Sequence, residues 1–293
     1  MSPPALNRKF SERSLRLAIL MVLLYLILPV QALLPIDDPD VWWRFRVGEW
    51  IVQNHTVPFV DYYSAYDAGK PWIEYSWLFA LLMYGLHAQF GLTAIAYFIV
   101  AMALAISAAV HQLIRRSGLP IFAEVAFAGA ALASMKSLMT PRPWLITIFF
   151  FAIELLIIDR VRRSGRSREL WILPPLFAIW ANFHIQFVYG LAVIFLLALE
   201  APLAALLGRF GWRIDVPPAP CRVGIIAVAC VAATLLTPYH LLLYRQIFDY
   251  MGGQTGIFQN ITELHPMFFR SPGDWLVLLL ALSAAFALGW RQK

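Results

Sequence analysis

Charge is scarce in this chain. Of 293 residues only 14% are Asp, Glu, Lys or Arg, against about 25% in ordinary soluble domains. Cysteine is nearly missing: Cys221 and Cys230 stand apart with no metal-ligand companions, so no disulfide framework or zinc site is visible. There is no Gly-rich phosphate loop, no His/Cys metal motif and no nucleophile elbow. Nor is there an internal repeat or a low-complexity linker, so nothing marks off a separate soluble domain and 1–293 reads as one unit.

What the chain has is apolar length. Hydrophobic residues make up 61% of it, against roughly 45 to 50% in soluble domains, and no soluble core needs that much. A bilayer needs about 20 apolar residues per helical crossing, because backbone amides in lipid must be satisfied within the segment. The apolar runs are Leu15 to Pro35, Trp77 to Phe90, Leu92 to Ile114, Ile121 to Leu138, Pro143 to Ile158, Leu170 to His184, Phe187 to Leu207, Val223 to Thr237 and Trp275 to Gly289. They predict an all-α integral membrane protein: a polytopic helical bundle with about eight to nine transmembrane or membrane-embedded helices. Arg8, Lys9, Arg13 and Arg16 before the first run, with Val30-Gln31-Ala32 after it, also fit a cleaved signal. The run nevertheless continues through Leu33, Leu34 and Pro35 to the length of a crossing.

The formal net charge of +6 comes from short basic runs between apolar ones, which marks cytoplasmic loops rather than a nucleic-acid surface. These runs are the N-terminal cluster, Arg115-Arg116, Arg160 to Arg168, Arg209 with Arg213, and Arg291 with Lys293. With all of them inside, the N-terminus is cytoplasmic and two polar segments lie outside: 36–76 after the first crossing (15–35), and 241–274 after the bundle (77–240), before the last crossing (275–290). Glu74 to Ile114 must then cross an odd number of times. The short run Trp77 to Phe90, which carries His87, is expected as an interfacial or re-entrant helix and Leu92 to Ile114 as the crossing; two ordinary crossings are the alternative.

The densest polar sequence is Ile36-Asp37-Asp38-Pro39-Asp40-Val41-Trp42-Trp43-Arg44-Phe45-Arg46-Val47-Gly48-Glu49-Trp50. Its crowded acids repel one another and attract a proton, a metal ion or a cationic partner. As a helix it carries Trp43, Val47, Trp50 and Ile51 on one stripe, which predicts an interfacial helix lying on the bilayer. An N-capped interfacial helix explains one acid and leaves two. A second cluster runs from Asp61 to Tyr75 and mixes aromatic rings, hydroxyls and carboxylates, including Glu74, a composition suited to sugar rings and equally to an aromatic belt. On the same side fall Arg142 between Pro141 and Pro143, Asn182 and His184 in Trp180-Ala181-Asn182-Phe183-His184, and Tyr239-His240. Arg142 suits a phosphate, or it snorkels to the interface. Glu124, Glu154 and Glu200 have no evident role in apolar runs.

One crossing, then Asp38-Pro39-Asp40-Val41-Trp42-Trp43, then Gly48-Glu49-Trp50 with Pro58 downstream, then Trp180 to His184, resembles the GT-C glycosyltransferases, in particular a bacterial group with DPD-x-WW and W-x-N-x-H motifs. The likeness runs from about Asp37 to Pro272. It implies a GT-C type bundle with interfacial helices in its first external loop, in a bacterial cytoplasmic membrane. It also implies transfer of a sugar from a polyprenyl-phosphate carrier to a glycan, lipid or protein acceptor on the external face. It makes Asp38 the first choice and Asp40 the second for the catalytic base, or for a divalent-metal ligand (Mg or Mn), although these two alone make too few ligands for a tight site. Arg44, Arg46, Glu74, Arg142, Asn182 and His184 become candidates for binding the carrier phosphate and sugar. The acid run has one member more than the motif, Asp37, and members of the superfamily usually continue beyond the last run found here. A transporter or flippase, and a non-catalytic scaffold subunit, remain as alternatives.

Overall fold

The computed structural model describes residues 5–35, 38–211, 216, 219–251, 267 and 269–291. Asp37, Arg213, Lys293 and residues 252–266 of the expected second external loop lie outside them. The regular secondary structure of the described residues is helical, apart from a single isolated β-bridge between Val60 and Pro71. In chain order the helices are α1 (Ala5–Leu26), α2 (Asp40–Asn54), α3 (Trp77–Phe90), α4 (Leu92–Arg115), α5 (Ile121–Ser134), α6 (Trp144–Ser164), α7 (Leu173–Phe183), α8 (Phe187–Gly208), α9 (Pro220–Thr234), α10 (Leu241–Met251) and α11 (Pro272–Arg291). By length and composition α4 and α8 can cross a bilayer; Ser14–Leu26, α3, α5, α9 and Pro272–Phe286 are shorter apolar helices.

Contacts divide the chain into two compact units. One comprises Met1–Asp37, Ala96–Thr140 and Pro266–Lys293. In it, Gly129 of α5 faces Leu24 and Ile27 at the end of α1, and α11 packs on α5. Three helices also meet through polar groups: the Tyr25 hydroxyl lies 3.1 Å from His111 Nδ1, and His111 Nε2 lies 2.8 Å from Glu124 Oε1.

The other unit, Asp38–Ile95 with Pro141–His265, holds the polar segments named by the sequence. Its core gathers Phe177, Trp180, Phe187, Ile194, Ile226 and Cys230 from α7, α8 and α9. The carboxyl of Glu154 is buried there beside Gly190. A Cβ on Gly190 would lie 2.5 Å from Glu154 Oε2 and 2.7 Å from Trp180 Cζ3, so only glycine leaves room for that side chain. Gly165, at φ 72°, ends α6 in a left-handed cap after the helix has run through Asp159–Arg163.

The apolar stripe of α2 is where expectation and structure part. Val47 and Ile51 are buried with Ala80 of α3, and Trp43, Trp50, Tyr63, Trp72 and Trp77 pack around them. The stripe faces protein and not a bilayer surface. Gly48 is the reason: a Cβ there would collide with the Ala80 carbonyl and Tyr84 Cβ, so its absence lets two backbones approach closely enough to bury the stripe. Trp42, 58% exposed, is the tryptophan that α2 leaves outward.

Between α2 and α3 the chain closes on itself. The Asp61 amide donates to the Lys70 carbonyl (2.9 Å), and the Gly69 amide donates to the Asp61 carbonyl (2.7 Å). The Asp61 carboxylate accepts from the amides of Tyr63 and Ser64 and from the Ser64 hydroxyl. Those bonds, the Ser64 hydroxyl foremost, hold the acid below the usual carboxylate range. Lys70 pairs with Asp67, and Tyr66 stands out at the tip, 97% exposed.

Candidate functional site

Pro39 sets the turn into α2, and the acid before it is used at once: Asp38 Oδ1 accepts the Asp40 amide at 3.1 Å. The same carboxylate is gripped by Arg142. Nε reaches Asp38 Oδ2 at 2.6 Å and Nη2 reaches Oδ1 at 3.0 Å, a two-pronged pair with Asp38 only 7% exposed. Pro141 and Pro143 restrict the backbone around Arg142, and its guanidinium stacks 4.9 Å from the centroid of Trp144, the first residue of α6. The remaining Nη1 lies 3.2 Å from Asp40 Oδ2, whose side chain is 50% exposed. Asp38 is therefore a locked anion and Asp40 an accessible one.

One helical turn beyond Asp40, Arg44 Nη1 donates to Glu74 Oε1 at 2.6 Å. Glu74 is 2% exposed, and its Oε1 also accepts the Ser76 amide at 3.0 Å. Burial opposes the charge on Arg44, but Glu74, Tyr75 and Asp40 outweigh it and raise the guanidinium above its ordinary value. Arg44 Nε is buried and has no hydrogen-bond partner among the described residues. Tyr239 closes this corner from behind: its hydroxyl donates to the Pro58 carbonyl at 2.7 Å and accepts the Glu74 amide at 3.3 Å.

Asp40, Trp43, Arg44, Glu74, Tyr75 and Tyr250 face one open cleft of about 330 Å³, with Trp72 and Ile73 completing its wall. Trp43 and Trp72 meet edge to face at 5.5 Å, and Tyr63 packs on both. Burial, then Tyr250, raises the Tyr75 phenol above its ordinary value, so it is an O–H donor at neutral pH. The five charged groups, Asp38, Asp40 and Glu74 against Arg44 and Arg142, leave one negative charge in excess, and Asp40 is where solvent reaches it.

His184 sits deeper. Its ring centroid is 6.3 Å from that of Tyr75, and its Nδ1 is 2.9 Å from the Thr147 hydroxyl, which also takes the Trp180 indole N–H at 3.0 Å. Asn182 does something else: Oδ1 accepts from Trp77 Nε1 at 2.9 Å, while Nδ2 donates to the carbonyls of Ala178 and Leu236. Set against known proteins, the chain matches no family model, no curated protein and no solved structure. The site stands on its own geometry.

Of the residues singled out by sequence, the structure joins Asp38, Asp40 and Arg142 in one cluster and Asp40, Arg44 and Glu74 in one cleft, with His184 beside the cleft wall at Tyr75. Arg46 is turned away, 68% exposed and paired with Glu49 at 2.8 Å, and Asn182 is spent on holding α3 to α7. Among the described residues no three His, Cys, Asp or Glu side chains gather to hold a metal. Both Asp38 oxygens are taken by Arg142, so of this cluster's carboxylates Asp40 is the accessible one, and a protein-only Mg or Mn site does not fit this donor set. Sequence reasoning missed Thr147, a hydroxyl inside an apolar run, and Tyr250, on a helix that the expected second loop hid. The acids left unexplained also resolve in part: Glu124 pairs with His111 and Glu200 with Arg162, whereas neither oxygen of Glu154 has a hydrogen-bond partner among the described residues.

Proposed function

We propose that this chain is a membrane glycosyltransferase of GT-C type, which moves a sugar from a polyprenyl-phosphate carrier to an acceptor hydroxyl at the external face of a bacterial inner membrane. The observation that carries the reading is the accessible carboxylate of Asp40 in a cleft walled by Trp43, Trp72, Arg44 and Tyr75. Large apolar side chains exposed along α8, among them Leu196 at 65% and Leu199 at 57%, support a lipid surround, and the arginine-rich end of α6 supports its placement in the cytoplasm.

In this mechanism Asp40 takes the proton of the acceptor hydroxyl as its oxygen bonds to the anomeric carbon. The bond from that carbon to the phosphate oxygen breaks, and the electron pair leaves with the polyprenyl phosphate. Arg44 supplies fixed positive charge to the departing phosphate, and Tyr75 supplies an O–H donor. Asp38 acts one step removed, by fixing Arg142, which orients Asp40. The tryptophans pack against the apolar faces of sugar rings.

Asp40→Asn and Asp38→Asn, assayed for sugar transfer from polyprenyl-phosphate donors in membranes at matched expression, test the reading. The Asp40 variant is expected to lose about 10²-fold or more, the usual worth of a general base. Full transfer by both variants sinks the assignment. For the topology, cysteines placed singly at Ala65 and Ser164, with Cys221 replaced by Ser, are expected to react with an impermeant thiol reagent from opposite sides of the membrane.

A further inference from the structure

We propose that Thr147 fixes His184 as the Nε2–H tautomer, so that Nε2–H serves as a hydrogen-bond donor to a phosphate oxygen bound beside Tyr75. The identity of that oxygen rests on the glycosyltransferase reading; the tautomer does not.

Protons and lone pairs around Thr147 decide the tautomer. An indole N–H can only donate, so Trp180 Nε1, 3.0 Å from Thr147 Oγ1, makes that hydroxyl an acceptor. The single hydroxyl proton of Thr147 must go elsewhere. A threonine inside a helix ordinarily gives it to the carbonyl one turn back. Here that carbonyl, of Pro143, already accepts the amides of Ile146 at 3.1 Å and Thr147 at 3.4 Å, which fills its two lone pairs. Thr147 is 6% exposed and Trp180 fully buried, so bulk water does not compete. The proton therefore points at His184 Nδ1, 2.9 Å away. A ring nitrogen that accepts carries no hydrogen, which leaves the imidazole proton on Nε2.

His184 is 7% exposed, and among the described residues its Nε2 has no hydrogen-bond partner. Nε2 is not one of the fully buried atoms left without a partner, so it is the edge of this otherwise buried ring that an acceptor can reach. Its ring stands 6.3 Å from that of Tyr75, whose hydroxyl is hydrogen-bonded to Tyr250 in the cleft wall. An Nε2–H donor there suits an oxygen acceptor such as a phosphate oxygen, with Arg44 of the same cleft supplying the opposing charge. Within the motif Trp180 to His184, the tryptophan would then set the direction of the threonine hydroxyl and the histidine would use it.

The test uses the full chain in nanodiscs, labelled with ¹⁵N-histidine. The sequence has 6 histidines, and the His184 signals are those missing from His184→Gln. Expected are a protonated Nε2 and an unprotonated Nδ1 with the shift of a hydrogen-bonded acceptor. Thr147→Val, close in shape, should move Nδ1 to the value of an unbonded ring nitrogen, and Thr147→Ser should restore it. A protonated Nδ1 in the native chain, or an Nδ1 that Thr147→Val leaves unmoved, overturns the proposal. Polyprenyl monophosphate added to the nanodisc should shift the Nε2–H proton signal, and Thr147→Val should weaken its binding about fivefold, the worth of one hydrogen bond. Inorganic phosphate is the second arm: a shift with the lipid alone assigns the oxygen to a lipid headgroup, and a shift with both assigns it to phosphate from either source. No shift with either overturns the ligand half. A phosphate shift without sugar transfer defeats the enzymatic reading and leaves this inference standing; transfer without the shift does the reverse.

Discussion

Removing Arg142 should hurt this protein more than removing either acid that it holds. Arg142 Nε and Nη2 engage Asp38 at 2.6 and 3.0 Å, with Asp38 7% and Arg142 20% exposed. Breaking a largely buried ion pair by deleting one partner costs about 3 to 5 kcal/mol, because the other charge is left desolvated. Arg142→Gln sits at the upper end, since Asp38 and Asp40 then face each other without their shared cation. Asp38→Asn should cost about 2 to 3 kcal/mol: one amide oxygen still accepts, but the amide nitrogen meets a guanidinium donor. Asp40, half exposed at 3.2 Å, should add little to stability. Unfolding of the purified chain in mixed micelles, followed by tryptophan fluorescence, measures each variant and the double variant. The Asp38–Arg142 coupling in that cycle is expected at about 2 kcal/mol or more. A coupling below about 0.5 kcal/mol would show that the pair is not formed as described, and the distinction between a locked Asp38 and an accessible Asp40 would fall with it.

Gly48→Ala drives a methyl into the Ala80 carbonyl and Tyr84 and should cost about 1 to 3 kcal/mol in the same assay, with faster hydrogen exchange along α3; unchanged stability would mean that α2 and α3 do not touch at Gly48. Glu154→Leu exchanges a buried carboxyl without hydrogen-bond partners for an apolar side chain and should stabilise the fold by about 1 to 3 kcal/mol; a loss of stability would reveal a partner for that acid. The Asp61 carboxyl is more acidic folded than its ordinary value of 3.8. Its contribution is therefore complete above that pH and lost as pH falls through the lower folded value, so hydrogen exchange at Tyr63 and Ser64 should rise only under strong acid in the native chain, and at every pH in Asp61→Asn.

Local signals in the sequence located elements well and their partners poorly. Trp77–Phe90 and the start of α4 at Leu92 were legible because Gly91, at φ 69°, divides two apolar runs, and Pro120 announces α5 at Ile121. The helix α10 was hidden because Arg245, Gln246 and Asp249 make its segment read as a polar loop, although Leu243 and Ile247 are buried one turn apart. The α2 stripe was read correctly as apolar and given the wrong neighbour, since a stripe of Trp, Val and Ile carries no mark distinguishing a bilayer from another helix. The chemistry-bearing acids and Arg142 were legible as residues. Their pairing was not, because Asp38 and Arg142 are 104 positions apart and nothing local encodes that closure. Thr147 was invisible for a plainer reason: its function is to orient a proton, which only the positions of Trp180 and Pro143 reveal.

The self-closed segment 61–70 has a practical consequence. Its bonds run inward among Asp61, Ser64, Asp67, Gly69 and Lys70, while Tyr66 points into open space. Extra residues spliced beside Tyr66 would leave those bonds unbroken. In the proposed topology a short peptide tag carried there would face outward from the inner membrane, and an antibody added to spheroplasts either finds it or does not.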